Sequence, residues 1–483
     1  MNPTEYLHFL AKLQPDAVAV QWVGGEWRFG QLLALVRAAA GRLRAHGVTP
    51  GARVVTCVPD RAVDWLVTLA AMHEAAVTAS TQCYAPIPAA LRADFVVADC
   101  VLPAEAIGDA RLVCVDPSWL QLGSEAPDPG APKPYPGDDA LFRLIMTSGT
   151  TGTPRIVPNT LAQRLGRSVE PSAAARRRKT LGLMGLACSG GLHSAMQALL
   201  DGQVLYHSRS ADEALELLVR HDIELLYGAP RQLAELVDAL RRRPLRPTAL
   251  REITFAGCSA SPKLVDELRA ALCPHVESVY ASSEAGSIAR LVTHQPGLPD
   301  GAAGYLLPGV QLEIVDDADR PLPAGAVGHV RVRAPYMAQG YFGDDTARAF
   351  RDGWFHPGDL GSLRDDGLLV LHGRSDEVVN RGGIKFDPGQ IDRAAEAAPG
   401  VLDAAAFAFE NAGGIEDLAL ALVLDERFDF DALQRQLRQA VAAPLLPSCY
   451  LRVPSIPRNA MGKAQRVQLR RLFTEAARGA VPG

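Results

Sequence analysis

Lysine is the residue type that this sequence most clearly lacks. Only six lysines accompany 43 arginines in 483 residues. A lysine carries a compact ammonium group on a flexible stem, whereas an arginine carries a planar fork, so the two are not interchangeable where a single point charge is needed. Lys463, which follows Gly462 in an arginine-rich tail, therefore stands out as a candidate functional cation.

Paired cysteines, long apolar stretches and excess positive charge are also missing. The eight cysteines are scattered and form no Cys-x-x-Cys pair, which argues for buried thiols and against a disulfide framework or a cysteine metal site. The N-terminus lacks a basic segment followed by an apolar one, and no uninterrupted apolar run reaches about 18 residues. The net charge of −5 provides no global attraction to nucleic acid or anionic membrane. We expect a cytoplasmic protein with no membrane span and no nucleic-acid partner.

What is present fits an α/β protein of more than one domain. A chain of 483 residues, 48% of them hydrophobic, can bury more than one core. Helix-period and strand-like stretches alternate, with helices predicted at Phe29–His46, Ala211–His221 and Gln232–Arg242 and strands at Val54–Val58 and Ile223–Tyr227. This alternation is typical of a largely parallel sheet.

A stretch rich in glycine and hydroxyl groups, residues 144–157, is the strongest chemical signal. Apolar residues that end a predicted strand run into Thr147-Ser-Gly-Thr-Thr-Gly-Thr-Pro-Arg155. Glycines let backbone N–H groups approach anionic oxygens, hydroxyls donate without bulk, and the arginine can meet terminal phosphates. The Walker A pattern is absent, because Gly149 and Gly152 are three residues apart and no Gly-Lys-Ser/Thr follows. The stretch predicts a polyphosphate loop; the alternative is an ordinary turn rich in serine and threonine.

Two later stretches combine a carboxylate with turn residues. Tyr280-Ala-Ser-Ser-Glu284 offers an aromatic face, two hydroxyls and a carboxylate, which suit a purine, a phosphate and Mg²⁺. In Gly353-Trp-Phe-His-Pro-Gly-Asp359 the aspartate lies between glycine turns, where it can accept hydrogen bonds from a diol. Taken singly, these stretches are also compatible with a serine-rich turn and a β-turn aspartate.

The sequence changes character at Arg374–Glu377, which predicts a domain boundary. Short strands and charged turns give way there to a compact tail, and a few residues at such a boundary can act as a hinge. We expect a large α/β domain of layered sheets and helices over residues 1–374 and a small mobile α+β domain over residues 375–483. Within the tail, Pro457–Arg466 contains Lys463, which predicts a mobile loop that delivers one cation; the alternative is a surface lysine.

In this order and spacing, the five stretches resemble the adenylate-forming superfamily, which comprises acyl-CoA synthetases, adenylation domains of peptide synthetases, and luciferases. The resemblance covers nearly the whole chain. It implies an AMP-forming acid–thiol ligase that uses ATP and Mg²⁺, with a phosphopantetheine thiol as the acyl acceptor. It also implies that the ATP phosphates are bound by Thr147, Ser148, Gly149, Thr150, Thr151, Gly152 and Arg155.

The resemblance implies further roles in the large domain, residue by residue. Tyr280 would pack on adenine, and Ser283 would bond the α-phosphate. Glu284 would be the ligand of Mg²⁺. Asp359 and Arg374 would together hold the ribose.

The remaining implied roles belong to the small domain. Asp376 would be the hinge, and Lys463 would bridge the substrate carboxylate and the α-phosphate. After a swing of the domain, the face around Gly382–Gly383 would meet the thiol acceptor. The sequence departs from the family pattern in three places: at Arg155, where the phosphate loop usually ends in lysine; at Ser283, where threonine is usual; and at His356-Pro357 in the Asp359 stretch. None of these departures removes a charge that the chemistry requires.

The acid substrate is predicted from small residues at the ends of predicted strands. In peptide-synthetase members of the family an aspartate binds the α-amino group, and the aligned segment Gly185–Leu192 has no acidic residue. An unpaired buried ammonium would be costly, so amino acids are disfavoured. A flat slot with few polar groups is predicted to be lined by Cys188, Gly191, Gly228, Gly257 and Cys258. An aryl acid such as a hydroxybenzoate fits best; a short or medium acyl chain is one alternative, and plain packing beneath the sheet edge is the other.

The C-terminal segment is basic, which bears on the acyl acceptor. Residues 432–483 contain nine Arg or Lys residues and a single acid, Glu475. Such a face would attract the phosphates of coenzyme A or the acidic helix of an acyl carrier protein, and it is also compatible with a solvated helix end. With no carrier-like segment in the chain, we expect any carrier to be a separate protein.

In its compact length the chain looks similar to stand-alone aryl-acid ligases that load a carrier protein. These include the hydroxybenzoate ligase of bacterial aryl-polyene pigment pathways. A hypothesis from another class is a non-catalytic nucleotide-binding protein on the same scaffold. Such a protein would have no need of Lys463 or Glu284, and both are present.

Overall fold

The computed structural model describes most of the chain. It covers residues 2–81, 87–123, 128–147, 155–168, 178–243, 245–295, 297–343, 346–375, 379–381, 384–386, 388–410, 416–441, 446–459 and 462–479. Within these ranges the chain forms three extended sheets and a short hairpin, with helices packed against them. The predicted fold class, α/β with a large layered part and a small α+β part, is confirmed.

The elements of the large part lie between residues 3 and 374. Its strands are β1 (Val18–Trp22), β2 (Gly25–Arg28), β3 (Arg53–Cys57), β4 (Val77–Ser80), β5 (Phe95–Ala98), β6 (Arg111–Cys114), β7 (Leu141–Thr147), β8 (Arg155–Thr160), β9 (Thr180–Gly182), β10 (Leu205–His207), β11 (Leu225–Gly228), β12 (Glu252–Ala256), β13 (Val276–Ser282), β14 (Gly286–Val292), β15 (Ala302–Leu306), β16 (Gln311–Val315), β17 (Gly328–Arg333), β18 (Phe350–Arg351), β19 (Trp354–Phe355), β20 (Asp359–Leu363) and β21 (Leu369–Arg374). Its helices are α1 (Pro3–Leu13), α2 (Phe29–Ala45), α3 (Arg61–His73), α4 (Ala104–Ile107), α5 (Leu161–Ser168), α6 (Ser189–Leu200), α7 (Ala211–Arg220), α8 (Pro230–Arg242) and α9 (Pro262–Ala271).

The first sheet has the strand order β6-β5-β3-β4-β7-β8 and is parallel except for the last pair. Val54 and Val96 on its inner strands are fully buried, as expected for parallel strands that are covered on both faces. Thr147 at the end of β7 pairs with Arg155 at the start of β8. The predicted phosphate loop is therefore the connection between these two strands.

The second sheet runs in the order β18-β19-β17-β20-β21-β15-β14-β13-β12-β11-β9-β10-β1-β2, with β16 beside β17. Its central strands β10, β9, β11, β12 and β13 are parallel, and helices α6 to α9 connect them. The carboxyl ends of these strands therefore lie at one edge of the sheet. From β13 onwards the paired strands are antiparallel.

The predicted boundaries of helices agree with the structure within two residues. The helix predicted at Gln232–Arg242 begins two residues earlier, because Pro230 suits the first turn of a helix. In this helix Leu233, Leu236 and Leu240 are buried, the spacing of a helix with one apolar face. No helix in the described ranges combines the length and the apolar character needed to cross a bilayer.

The tail forms a sheet with its own core. Its strands are β22 (Val379–Arg381), β23 (Ile384–Phe386), β24 (Val401–Glu410), β25 (Glu416–Leu424) and β26 (Cys449–Arg452), and its helices are α10 (Gly389–Glu396), α11 (Phe430–Ala440) and α12 (Arg466–Gly479). Residues of alternating parity along β24 and β25 pack on opposite sides. Leu420 contacts the cluster that contains Ile391 and Leu433, whereas Phe407 contacts the cluster that contains Ile456 and Leu469.

Candidate active site

The predicted slot and the Tyr280 stretch meet at the carboxyl edge of the central strands. Strands β9, β11, β12 and β13 end side by side, so the segments that follow them line one cleft. Gly257, directly after β12, has φ +99°, a left-handed conformation that favours glycine and turns the chain at the strand end. The segments predicted to line a ligand crevice therefore do lie at the carboxyl edge of the sheet.

Tyr280, Asp359 and Arg374 lie together on one side of this cleft. The Tyr280 hydroxyl donates to Oδ2 of Asp359, and Nη1 of Arg374 is 3.5 Å from Asp359 Oδ1. The same Arg374 nitrogen donates to the carbonyl oxygen of Pro357 at 2.9 Å. Strand pairing places Asp359 opposite Arg374. Burial, reinforced by the Asp359 charge, raises the pKa of Tyr280. The carboxylate is held between an aromatic ring and a guanidinium, as a ribose-binding residue beside adenine would be.

Glu284 is linked to the predicted phosphate loop through Tyr341. The Tyr341 hydroxyl donates to Oε1 of Glu284 at 3.0 Å. Arg155 lies over the Tyr341 ring, with its guanidinium carbon 5.1 Å from the ring centroid, and its Nη1 is 3.5 Å from the Tyr341 hydroxyl. Burial raises the pKa of Glu284. Tyr341, which the motifs did not indicate, therefore joins the carboxylate to the cation of the loop.

Arg167 on α5 supports the backbone that presents Ser283 and Glu284. Its Nη1 donates to the carbonyl oxygen of Ser283 at 2.9 Å, and its Nη2 donates to that of Glu284 at 2.6 Å. Its Nε donates to the carbonyl oxygen of Tyr336 at 3.0 Å. Burial lowers the pKa of Arg167 to about 10, which still leaves it charged at neutral pH. No local sequence pattern indicates this role, because the contacts join segments far apart in the chain.

The turn that carries Lys463 packs against the same edge of the sheet. A Cβ atom placed on Gly462 would lie 3.2 Å from Cβ of Arg231 and 3.9 Å from Sγ of Cys258. The turn is closed by Asn459, whose Oδ1 accepts from the Lys463 backbone N–H at 2.9 Å. Burial raises the pKa of Cys258 to about 11, and the Lys463 charge opposes that effect. Lys463 thus belongs to the cleft, beside one of the predicted slot residues.

Cys188, one of the predicted slot residues, lies in a small apolar cluster with Met184, Tyr227, Ala229, Ala256 and Val279. Its thiol accepts from the Gly191 backbone N–H at 3.4 Å and caps α6. A Cβ atom on Gly191 would lie 2.0 Å from the Gly185 carbonyl oxygen, and one on Gly228 would lie 3.1 Å from Leu183 Cδ1. These two glycines allow close packing of the slot wall, and their contact with a substrate stays a prediction.

Several predicted site residues lie outside the described residues. They are Ser148, Gly149, Thr150, Thr151 and Gly152 of the phosphate loop, the hinge residue Asp376, and Gly382 and Gly383. The two residues that flank the loop are described, and the Thr147 hydroxyl donates to the carbonyl oxygen of Arg155 at 3.3 Å. The roles of the others stay predictions.

The basic tail is partly neutralised within the small part of the protein. Arg458 forms ion pairs with Asp403 and Glu396, and Arg466 forms one with Asp392. Other arginines of the tail are exposed, namely Arg435, Arg438, Arg452 and Arg471. Counting charges along the sequence therefore overstated the positive charge available to a partner.

The donor set of the cleft suits a magnesium ion held mainly by a nucleotide. In the parts of the chain that the structure describes, no group of three or more His, Cys, Asp and Glu residues is placed to hold a metal. Mg²⁺ commonly binds through one or two carboxylates together with substrate phosphates and water. Glu284, buried and linked to the end of the phosphate loop, can supply that carboxylate.

This combination of fold and cleft defines a nucleotide-dependent enzyme of the adenylate-forming type. The chain belongs to the AMP-binding enzyme family, which matches residues 9–342. The resemblance seen in the five stretches is thereby confirmed, and so is the prediction of an AMP-forming acid–thiol ligase.

Two curated relatives are similar along almost all of this chain. It is 28% identical to AMB antimetabolite synthetase AmbB of Pseudomonas aeruginosa over 96% of its length, but it spans only 39% of that larger protein. It is 27% identical to the salicyl-AMP ligase / salicyl-S-ArCP synthetase of Mycobacterium tuberculosis, with 94% of this chain and 88% of the relative covered.

Among solved structures, the o-succinylbenzoate CoA synthetase of Bacillus subtilis, in complex with an acyl-adenylate intermediate, has a similar fold. The TM-score is 0.85, with 97% of this chain and 98% of that chain covered. The sequence identity is 22%. At that identity the likeness establishes the shared fold alone.

Proposed function

We propose that this enzyme activates an aromatic carboxylic acid of the hydroxybenzoate type with ATP and Mg²⁺, and then passes the acyl group to the phosphopantetheine thiol of a separate acyl carrier protein. The observation that carries the proposal is the position of the Lys463 turn. It packs on Cys258 at the sheet edge that also bears the Tyr280–Glu284 stretch. A cation, a carboxylate suited to Mg²⁺ and the predicted acid slot would therefore share one cleft.

The chemistry follows from these positions. A carboxylate is a poor electrophile, so its oxygen must first attack the α-phosphorus of ATP, which forms an acyl-adenylate and releases pyrophosphate. Negative charge builds on the phosphoryl oxygens, and Lys463 and the residues of the phosphate loop, Thr147–Arg155, would stabilise it. Mg²⁺ on Glu284 would neutralise further charge. Ser283 would donate to the α-phosphate. A thiol then attacks the acyl carbon and displaces AMP.

The thiol must reach the acyl carbon after adenylation, at a place that the Lys463 turn covers during the first step. We propose that residues 375–483 move as one body relative to residues 1–374, with Asp376 as the hinge. The separate core of the tail supports such a movement. Gly382–Gly383 would then face the incoming thiol.

Three observations favour an aromatic acid. The wall around Cys188 is made of small or apolar side chains, and the described segment Gly185–Leu192 contains no carboxylate that could pair with an amino group. The Mycobacterium tuberculosis relative is named for a salicyl substrate. A short or medium acyl chain is the alternative acid.

A carrier protein is the proposed acceptor, and coenzyme A is the alternative. The exposed arginines Arg435, Arg438, Arg452 and Arg471 could attract the acidic helix of a carrier or the phosphates of coenzyme A. The Mycobacterium tuberculosis relative is named as a carrier-protein synthetase. The Bacillus subtilis enzyme is a CoA synthetase, so the fold does not discriminate between the acceptors.

Acid-dependent exchange of pyrophosphate into ATP tests the proposal. Over a panel of benzoates, fatty acids and amino acids, exchange should be fastest with hydroxybenzoates. Mass spectrometry of a phosphopantetheinylated carrier protein, and separately of coenzyme A, would identify the acceptor by the added acyl mass. If none of the acids in the panel supports exchange, that result would instead favour a non-catalytic nucleotide-binding protein on this scaffold.

Arg167→Lys is expected to weaken Mg²⁺ binding by about tenfold, because partners that orient a metal ligand typically contribute that much. One ammonium cannot replace a guanidinium that bonds the carbonyl oxygens of Ser283, Glu284 and Tyr336 at once. The measurement is the Mg²⁺ dependence of pyrophosphate exchange. Arg269→Lys, on the exposed side of α9, is the control. An unchanged Mg²⁺ dependence would contradict the supporting role of Arg167.

A further inference from the structure

The Tyr227 hydroxyl projects into the wall of the acid slot. Tyr227 lies on the central strand β11, and its side chain packs in the cluster that contains Cys188 and Met184. A Cβ atom on Gly190 would lie 2.8 Å from the Tyr227 hydroxyl oxygen and 2.9 Å from Sδ of Met184. The absence of a side chain at Gly190 therefore makes room for the hydroxyl at the first turn of α6.

Tyr227 is half-buried, and no hydrogen bond to another described residue engages its hydroxyl. By contrast, Tyr135 donates to the Ala76 carbonyl oxygen at 2.9 Å, and Tyr341 donates to Glu284 at 3.0 Å. The Cys188 thiol is already engaged, since it lies 3.3 Å from the Gly185 carbonyl oxygen that accepts from it. A polar group in an apolar wall is costly unless it is hydrogen-bonded, so a ligand group is the natural partner.

The surroundings of Cys188 favour an oxygen acceptor over a donor in that ligand. The positive charges of Arg61 and Arg143 act on the Cys188 thiol, although burial dominates and raises its pKa. Nη1 of Arg61 and both Nε and Nη1 of Arg143 are buried and have no hydrogen-bond partner among the residues that the structure describes. Asp64 is occupied by the hydroxyls of Thr56 and Ser80. The slot therefore offers donors and positive charge at this end.

We infer that Tyr227 determines specificity by donating a hydrogen bond to an oxygen substituent at the end of the acid remote from its reacting carboxylate. The inference rests on the proposed function and narrows it to acids that carry such an oxygen, as a hydroxyl or a second carboxylate. An acid that lacks the oxygen leaves the hydroxyl buried and unpaired, which a site built to hydrogen-bond its substrate discriminates against.

The test uses pairs of acids that differ by one remote oxygen group: benzoate with 3- and 4-hydroxybenzoate, and hexanoate with adipate. The wild-type enzyme should exchange pyrophosphate with an oxygenated member at a kcat/KM about tenfold above that of its plain partner. Tyr227→Phe should bring this ratio to about one and leave kcat/KM for the plain acid nearly unchanged. If Tyr227 had a merely structural role, Tyr227→Phe would lower kcat/KM for both acids of a pair together.

Two further variants make the result decisive. Gly190→Ala, whose methyl group would displace the hydroxyl, should abolish the same preference. Tyr305→Phe, at an exposed side chain on β15, should leave it intact. A wild-type preference that survives Tyr227→Phe, or a wild-type preference for the plain acids, would overturn the role of Tyr227 and leave adenylation in place. If no acid in the panel supports pyrophosphate exchange, the proposed function would be overturned as well.

Discussion

Replacement of Lys463 by alanine is expected to lower the rate of adenylate formation by about a hundredfold or more, the loss typical for one preorganised donor to a developing oxyanion. Nucleotide binding should largely survive, because Tyr280, Asp359 and Arg374 form a separate group in the cleft. Pyrophosphate exchange measures the first effect, and a direct nucleotide-binding titration measures the second.

The scarcity of lysine provides a clean control for this experiment. Lys12 is exposed on α1, so Lys12→Ala removes the same charge from the surface. Lys463→Arg separates charge from shape, and we expect it to restore little activity because a guanidinium is larger and planar. Near-normal exchange by Lys463→Ala would remove Lys463 from the mechanism.

Glu284→Gln is expected to have the second largest effect, a fall in Mg²⁺ affinity of at least about a hundredfold. Removing a residue that only orients a metal ligand lowers metal affinity by up to about a hundredfold, and loss of the ligand's own charge should cost at least that much. The amide keeps the size of the side chain and can still meet the Tyr341 hydroxyl, so the change tests the charge itself. The Mg²⁺ dependence of pyrophosphate exchange is the measurement.

The same variant should alter the pH profile. Burial raises the pKa of Glu284, and the metal binds the ionised form. Activity at limiting Mg²⁺ should therefore be present above this raised pKa and fall as the pH drops through it. Glu284→Gln should lack that acidic limb. Glu313→Gln on β16, which breaks an ion pair with Arg331 on β17, is the control and should keep the acidic limb. An acidic limb unchanged in Glu284→Gln would assign it to another group.

The parts of the site that the sequence predicted are those whose chemistry lies in one short stretch. Tyr280 and Glu284 are four residues apart, and Asp359 follows a glycine turn, so their types and spacing indicated candidate site residues whose roles stay predictions. The structure brings Tyr280, Asp359 and Arg374 together through strand pairing and side-chain contacts. The alternation of helices and strands likewise predicted the parallel sheet and its ligand-binding edge.

The parts that the sequence did not reveal depend on contacts between distant segments. Arg167 supports Glu284 from α5, and Tyr341 joins Glu284 to Arg155, yet neither residue stands in a distinctive motif. Charge counting also could not anticipate that Arg458 and Arg466 have acidic partners in the fold. A pattern in sequence gives residue types and spacing, whereas these roles are fixed by tertiary packing.

A crystal structure with ATP and Mg²⁺ is the most direct test of the central claim that acid and nucleotide react in this cleft. We expect adenine against the Tyr280 ring, the ribose hydroxyls within hydrogen-bond distance of Asp359, and the phosphates between Thr147 and Arg155 with the metal on Glu284. Adenosine bound away from Tyr280 and Asp359 would contradict the claim.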